Sequence, residues 1–315
     1  MEEADSTGRG LRHFAFLYRT ADEYASAISD FVRAGSTAAE PVLVAVPGHR
    51  QAELRQVIDR FPSPASARVS FTDMHALGRN PARILPAIQD FMDACDGVPI
   101  RFVSEPAWPG RSMAEMREAI RHEALINVAF TGICATILCP YDVTGLPACV
   151  VADVSRTHPL LASCGSQEPS SVFAGPGVVP ADCDKPLQPV PVHAEVLAYR
   201  YNLREVRDLI TAHARKADLP EPRTVDLVLA VSEIAANTLR HTSAGGTISI
   251  WRTEDELLCE LRDTGHITDP LAGRRAPDPD HPGGHGLWLV HQVCDLVQVR
   301  TDQAGTQVKL HMRLP

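Results

Sequence analysis

Three polar residues are spaced so that they could act together on a bound ion or hydroxyl group. Glu233, Asn237 and His241 follow one another at intervals of four within the sequence SEIAANTLRH at 232–241. Side chains four residues apart lie on one face of an α-helix. A carboxylate there could orient a water or hydroxyl group, and an amide oxygen suits Mg²⁺. A solvated helix face is the simpler interpretation when this pattern stands alone.

Two later segments could complete a nucleotide site. Asp263 ends a predicted strand, where its carboxylate could accept a hydrogen bond from the exocyclic amine of adenine, and Gly265 would let the backbone approach the base. The run PGGHGLWLV at 282–290 exposes backbone N–H groups before a predicted helix, which suits phosphate oxygens. Each segment alone is a weak signal, but their order and spacing together predict an ATP site.

These segments together resemble the GHKL ATPase fold, and within it the RsbW-like anti-sigma-factor serine kinases. The resemblance implies an α+β Bergerat domain over 194–315 with ATP and Mg²⁺ as cofactors. Glu233 would be the general base that activates a partner serine, Asn237 would coordinate Mg²⁺, and Asp263 would bind adenine. A lid of residues 268–282 would cover the phosphates. The other implied nucleotide-binding residues are His241, Gly265, Gly283, Gly284, Gly286 and Leu287.

One position departs from the family pattern. The first glycine box usually reads Asp-x-Gly-x-Gly, whereas this chain has Ile267 in place of the second glycine. A stiffer lid hinge, with lower nucleotide affinity or turnover, is expected from this change. A non-catalytic regulator that binds nucleotide weakly or only structurally therefore stays as the alternative to a kinase.

Residues 11–159 resemble the MEDS sensory domain through several segments, among them 78–83, 105–112, 121–127 and 138–142. The resemblance implies a RecA-like α/β fold with a parallel sheet, and no Gly-x-x-x-x-Gly-Lys-Ser/Thr motif follows the first strand. Polar residues near strand ends could line a pocket for a small-molecule ligand, although each could instead be structural. They are His13, Glu105, Trp108, Arg111, Glu123 and Asp142.

The elements that must position these residues follow two patterns. Before residue 160, apolar strands such as 41–46 and 100–104 alternate with helical segments such as 23–34 and 113–130, which predicts an α/β domain. Thr20 or Asp22 could cap the first helix, which Gly35 would end. After residue 193, two helices and two strand pairs around a further helix predict an α+β layer with a mixed sheet. Residues 1–10 are predicted to be disordered, and the segment 160–193, rich in Pro, Gly and Ser, to be a linker.

Composition restricts the function. The chain has 315 residues, 44% of them hydrophobic, and a formal net charge of -9, which argues against direct nucleic-acid binding. No apolar run is long enough to span a membrane, and the acidic N-terminus lacks the pattern of a secretion signal, so a cytoplasmic protein is expected. None of the eight cysteines forms a Cys-x-x-Cys pair, so the cysteines are interpreted as small buried residues rather than metal ligands.

The function expected from these observations is a cytoplasmic anti-sigma regulator that acts in transcription regulation and stress response. Its partners would be a sigma factor, a STAS-type anti-sigma antagonist, or both, and the resemblance allows a homodimer. A histidine kinase is disfavoured, because His193 lies in a Pro-rich segment rather than on a long dimerising helix.

Overall fold

The computed structural model describes residues 10–60, 69–163, 166–181, 183–277 and 284–315. The chain divides into two compact units, Met1–Cys183 and Asp184–Pro315. Residues 1–9 of the predicted disordered N-terminus lie outside the described residues.

The N-terminal unit is built on a sheet with the strand order β3-β2-β4-β5-β1-β6-β7. Neighbouring strands are parallel except for the antiparallel pair β6–β7, which confirms the predicted α/β fold. Every residue of β2 is buried, as expected of a parallel strand covered on both faces. The strands are β1 Leu11–Tyr18, β2 Val42–Val46, β3 Val69–Asp73, β4 Ile100–Ser104, β5 Ala135–Asp142, β6 Leu160–Ser163 and β7 Ser166–Pro169.

Helices connect these strands, and two have capping boxes at their starts. Thr20, one of the two caps that the sequence allowed, caps α1 together with Glu23, and Ser112 caps α5 together with Glu115. Gly35 does not end α1, which continues to Thr37. A Cβ at Gly35 would lie 2.7 Å from side-chain atoms of Arg101 and Val42, so the glycine allows close packing of the helix. The helices are α1 Ala21–Thr37, α2 Gly48–Ile58, α3 Met74–Leu77, α4 Ile84–Asp93, α5 Met113–Ala129 and α6 Ala148–Thr157, with a 3₁₀ turn at Pro81–Arg83.

The start of the predicted linker 160–193 is not a linker. Leu160–Ser163 pairs in parallel with β1. Ser166–Pro169 then pairs with Leu160–Ser163 as an antiparallel edge strand. The three apolar residues at 160–162 supply a strand, and Pro169 is tolerated because it ends an edge strand. The hairpin was not predicted, because the linker was assigned from the Pro, Gly and Ser content of the whole segment.

The C-terminal unit is an α+β layer with the strand order β11-β12-β10-β9-β8. The predicted fold class is confirmed, but the prediction of a mixed sheet is wrong, since every neighbouring pair is antiparallel. The two helices between β8 and β9 return the chain so that β9 runs opposite to β8. The elements are β8 Glu195–Tyr199, α7 Arg204–Lys216, α8 Glu221–His241, β9 Gly246–Arg252, β10 Glu256–Asp263, α9 His285–Val293, β11 Leu296–Asp302 and β12 Gly305–Arg313.

The two faces of this sheet differ in character. One face contributes apolar residues such as Ile248 and Leu310 to a core shared with α7 and α8. The opposite face carries the buried pair Lys309 and Glu260, with Nζ 2.9 Å from Oε2. Lys309 Nζ also donates to the carbonyl of Gln188, so the end of the predicted linker lies over the polar face of its own unit.

None of the helices within the described ranges is both long and apolar enough to cross a bilayer.

Candidate functional site

The predicted polar face of α8 lines a cleft of about 980 Å³ in the C-terminal unit. Glu233, Asn237 and His241 all contribute to this wall, together with Arg240. The structure therefore brings the three predicted α8 residues to one surface. The facing residues at the start of α9 are Gly284, His285, Gly286 and Leu287.

Gly286 lies against the α8 wall of the cleft. A Cβ at this position would lie 2.8 Å from Glu233 Oε2 and 3.2 Å from Asn237 Nδ2, so a larger residue would fill the space between the walls. Gly284 precedes α9 with a φ of 76°, and no side chain caps the helix. The N-cap residue therefore supplies no acceptor to the first-turn N–H groups of α9, which suits an anion. Gly283 lies outside the described residues.

Arg240 is a site residue that the sequence analysis did not identify. Its Nη1 donates a hydrogen bond to Asn237 Oδ1 over 3.0 Å, and the side chain is exposed in the cleft. Arg275, also exposed, lines the same cleft. The spacing of three residues between Asn237 and Arg240 on one helix could have indicated the first of these cations.

Asp263 is held in place at the end of β10 by two donors. Its Oδ2 accepts a hydrogen bond of 2.5 Å from the Thr238 hydroxyl, and its Oδ1 accepts one of 2.7 Å from the Gly265 N–H. A carboxylate offers about four acceptor positions, so room remains for a further donor such as an amine. The Thr306 hydroxyl donates to the Gly265 carbonyl over 2.8 Å. Thr238 and Thr306 were not predicted, because these contacts arise only from the tertiary fold.

The described part of the predicted lid packs against α9. Leu271 is buried, and Asp269 accepts a hydrogen bond from its backbone N–H. Gly273 has a φ of 71°, and a Cβ there would lie 2.6 Å from Leu287 Cγ. Ile267, which replaces the family glycine, lines the cleft at the start of this segment. Residues 278–282 of the lid lie outside the described residues.

Comparison with protein families matches both units. The family described as MEDS, the MEthanogen/methylotroph, DcmR Sensory domain, matches residues 12–159. The family described as the histidine kinase-like ATPase domain matches residues 197–312. The chain joins a MEDS domain to a histidine kinase-like ATPase domain. No curated protein matches the chain. A sensory domain joined to such an ATPase domain is the organisation of a regulatory ATP-binding protein.

The residues of the ATPase domain fit a magnesium nucleotide. The space at Gly286 would be closed by any side chain, and Glu233 Oε2 and Asn237 Nδ2 lie beside it. The carboxylate oxygen is a hard donor of the type that Mg²⁺ prefers, whereas Asn237 Oδ1 accepts from Arg240 and would have to turn to reach the ion. The N–H groups at the start of α9 suit phosphate within this cleft. The anchored carboxylate of Asp263 suits adenine, but Asp263 does not line the cleft and contributes instead to a separate pocket with Thr264.

The six predicted pocket residues of the MEDS domain come from several elements. Glu105 and Asp142 lie at the carboxyl ends of β4 and β5, and His13 and Glu123 belong to β1 and α5. Glu105, His13 and Glu123 are all buried. The remaining two, Trp108 and Arg111, belong to the loop after β4.

Glu105 is a buried carboxyl group in polar surroundings. Its Oε2 accepts a hydrogen bond of 2.6 Å from the Tyr24 hydroxyl, and its Oε1 lies 3.7 Å from the Arg50 guanidinium. Burial raises the pKa of Glu105 to about 7, since the charged form loses its hydration. The same burial raises the pKa of Tyr18 and of Tyr24.

Arg111 and Asp142 hold the loops at this edge. Arg111 donates to the carbonyls of Pro106 over 2.6 Å and Gly78 over 3.0 Å, and its guanidinium lies 4.2 Å from the centre of the Trp108 ring. Asp142 Oδ1 accepts hydrogen bonds from the N–H groups of Thr144 and Gly145. Although partial burial acts to raise it, the pKa of Asp142 is lowered by the hydrogen bond from the Thr144 hydroxyl and by these two N–H groups. A ligand role for these residues stays a prediction.

His13 and Glu123 form a second, interior cluster. His13 Nε2 lies 2.9 Å from Glu123 Oε2, and burial lowers the pKa of His13. Cys139 and His158 complete the cluster and were not identified from the sequence. They come from β5 and from the residue after α6, so only the folded sheet brings them to β1 and α5.

Proposed function

We propose that this chain is a cytoplasmic anti-sigma regulatory factor whose ATPase domain phosphorylates a serine of an anti-sigma antagonist, with the MEDS domain adjusting that activity. The observation that carries the proposal is the convergence of Glu233, Asn237 and Gly286 in one cleft. This convergence supports the proposal, because a base, a ligand for Mg²⁺ and a helix start for phosphate would then lie in one cleft. Serine is proposed as the residue that accepts the phosphoryl group because these segments resemble those of RsbW-like serine kinases.

Each residue would have a separate task. Glu233 would accept the proton of the partner's serine hydroxyl, and Asn237 would hold Mg²⁺ through Oδ1. Asp263, fixed by Thr238, would accept the adenine amine, and the α9 start would bind phosphate oxygens. MgATP, when bound, would supply the phosphoryl group and positive charge to offset the charge that develops during transfer.

The proposed partners are a sigma factor, which the ATPase domain would sequester, and a STAS-type antagonist, which it would phosphorylate. The chain's formal charge of -9 supports protein partners over direct contact with nucleic acid. A homodimer and a small-molecule ligand for the MEDS domain belong to the same proposal, in a role that serves transcription regulation and the stress response.

Phosphotransfer tests the kinase directly. The wild-type chain, incubated with MgATP and purified STAS-type antagonists, is expected to label a serine, and Glu233→Gln should lower the rate by about 100-fold or more because the base is lost. Glu205→Gln, an exposed glutamate on α7, is the matched control and should leave the rate unchanged. Absence of transfer to the antagonist that binds this chain would contradict the proposal.

A non-catalytic regulator is the second candidate. Two observations favour it: Ile267 replaces a family glycine in the cleft wall, and Arg240 already donates to the proposed metal ligand Asn237. Calorimetry with MgATP and MgADP, on the wild type and Asp263→Ala, separates the two. Binding lost in Asp263→Ala, together with transfer, supports the kinase. Binding without transfer supports the regulator.

A further inference from the structure

The interior cluster of the MEDS domain consists of four side chains that commonly bind metals. His13, Glu123, Cys139 and His158 each offer one ligand atom, and these four atoms all lie within 4.8 Å of one another. All four residues are fully buried. They come from β1, α5, β5 and the turn after α6, so the cluster joins four separate segments.

Hydrogen bonding determines which ring nitrogen of His13 carries a proton. Asn127 Nδ2 donates to the carbonyl of Thr157 over 2.8 Å, so Asn127 Oδ1 is the atom that faces His13 Nδ1 at 3.1 Å. His13 Nδ1 must then be the protonated nitrogen. In the neutral ring, Nε2 presents its lone pair to the cluster.

His158 is oriented in the same way. Its Nδ1 lies 2.9 Å from the Val154 carbonyl oxygen, which can only accept, so Nδ1 carries the proton. Its Nε2 lies 3.2 Å from Glu123 Oε2. Metal-binding histidines characteristically donate their second ring N–H to a carbonyl or carboxylate in this way.

Without a cation, and with both imidazoles neutral, these contacts are unfavourable. Two neutral imidazoles would direct their lone pairs at the same carboxylate oxygen, Glu123 Oε2, at 2.9 and 3.2 Å. The other carboxylate oxygen, Glu123 Oε1, is buried and makes no hydrogen bond within the part of the chain that the structure describes. A buried charge that is incompletely paired costs several kcal/mol.

A divalent cation balances the charge of the cluster. One carboxylate, one thiolate and two neutral imidazoles carry two negative charges, so a dication makes the whole site neutral. The ligand atoms are close to the required spacing, because a tetrahedron with bonds of about 2.0 to 2.3 Å has edges of about 3.3 to 3.8 Å. Cys139 Sγ lies 3.5 Å from both His13 Nε2 and Glu123 Oε2.

We propose that His13, Glu123, Cys139 and His158 bind one Zn²⁺-like divalent cation in the core of the MEDS domain. Nitrogen and thiolate ligands favour zinc over magnesium or calcium. With four protein ligands and no exposure to solvent, the site is of the structural type rather than a catalytic one. It ties the first strand of the domain to its last helix.

Elemental analysis of the full chain tests the site without any variant. The protein is expressed with zinc in the medium, carries no polyhistidine tag, and is purified without chelator. About one equivalent of zinc per chain is expected. Substitution with Co²⁺ should give the thiolate-to-cobalt charge-transfer absorption of a tetrahedral site. A metal-free wild-type protein that folds and shows no cobalt absorption would overturn the proposal, leaving a network of protons shared among the four residues.

Two variants locate the metal. Cys139→Ser should remove the charge-transfer band, and His158→Gln should lower metal content at least fivefold. Cys149→Ser, at an exposed cysteine outside the cluster, is the matched control and should retain both signals. Metal that persists at full occupancy in folded Cys139→Ser and His158→Gln would place it elsewhere and contradict the assignment.

Discussion

At the scale of single residues, the proposed nucleotide site requires a glycine at position 286. The α9 backbone reaches Glu233 and Asn237 only because Gly286 has no Cβ. Gly286→Ala is therefore expected to weaken MgATP binding by about tenfold or more, measured by calorimetry, since the new methyl group displaces the Glu233 carboxylate. Gly10→Ala is the control, because no atom lies within 4 Å of a Cβ there. Equal binding by both variants would show that nucleotide does not occupy this cleft.

Glu105 gives the MEDS domain a specific pH dependence. Its pKa is about 7 in the folded domain, against 4.5 for a glutamate side chain in water. The folded state therefore binds more protons than the unfolded state between these two pH values. Stability should accordingly fall as pH rises from about 4.5 to about 7, by on the order of 3 kcal/mol, and then level off. The groups facing Glu105 that oppose or add to this effect are Arg50, Tyr18, Tyr24 and Asp142.

Chemical denaturation across this pH range measures the effect. Glu105→Gln keeps an acceptor for the Tyr24 hydroxyl and should remove the slope, so that the variant is the more stable protein at pH 8. Glu168→Gln, at an exposed residue of the edge strand β7, should retain the slope. An unchanged slope in Glu105→Gln would assign the pH dependence to another group.

The difference between predictable and unpredictable residues has a physical basis at this scale. Helical periodicity alone placed Glu233, Asn237 and His241 on one face, because their relation is local. Thr238 could not be linked to Asp263, nor Cys139 to His13, because each pair meets only through strand order and register. Local spacing rules found no metal site among the cysteines for the same reason.

At the scale of elements, helix starts were more predictable than helix ends. The sequence limited the cap of α1 to Thr20 or Asp22, and Thr20 is the cap in the structure, since a cap depends on residues within one turn. Gly35 was misleading because its role is close contact with Arg101 and Val42, which the local pattern does not contain. The β6–β7 hairpin was missed because three apolar residues precede a long polar segment rich in proline.

The capping box of α5 leads to a prediction for this element. Ser112 Oγ accepts from the Glu115 N–H over 3.3 Å, and Glu115 Oε2 accepts from the Ser112 N–H over 2.8 Å. Ser112→Ala should lower the free energy of unfolding by about 1 kcal/mol, as measured in urea. Ser26→Ala, at an exposed position inside α1, should be neutral or slightly stabilising. A cost for Ser26→Ala as large as that for Ser112→Ala would mean that the cap contributes nothing specific.

At the scale of the whole molecule, the chain has two compact units, each with its own hydrophobic core. A ligand that binds one folded unit stabilises that unit by mass action, by about 2.7 kcal/mol at a hundredfold excess over its dissociation constant. Calorimetry should therefore resolve two unfolding transitions, of which MgATP raises only the one that belongs to the ATPase domain.

The assignment of the two transitions can be checked within the same molecule. Asp263→Ala should abolish the shift caused by MgATP, because it removes the anchored carboxylate from the nucleotide site. Zinc removal should lower the other transition, because the proposed ligands lie in the core of the MEDS domain. If MgATP raises both transitions together, the two units unfold cooperatively, and nucleotide binding is then energetically coupled to the sensory domain.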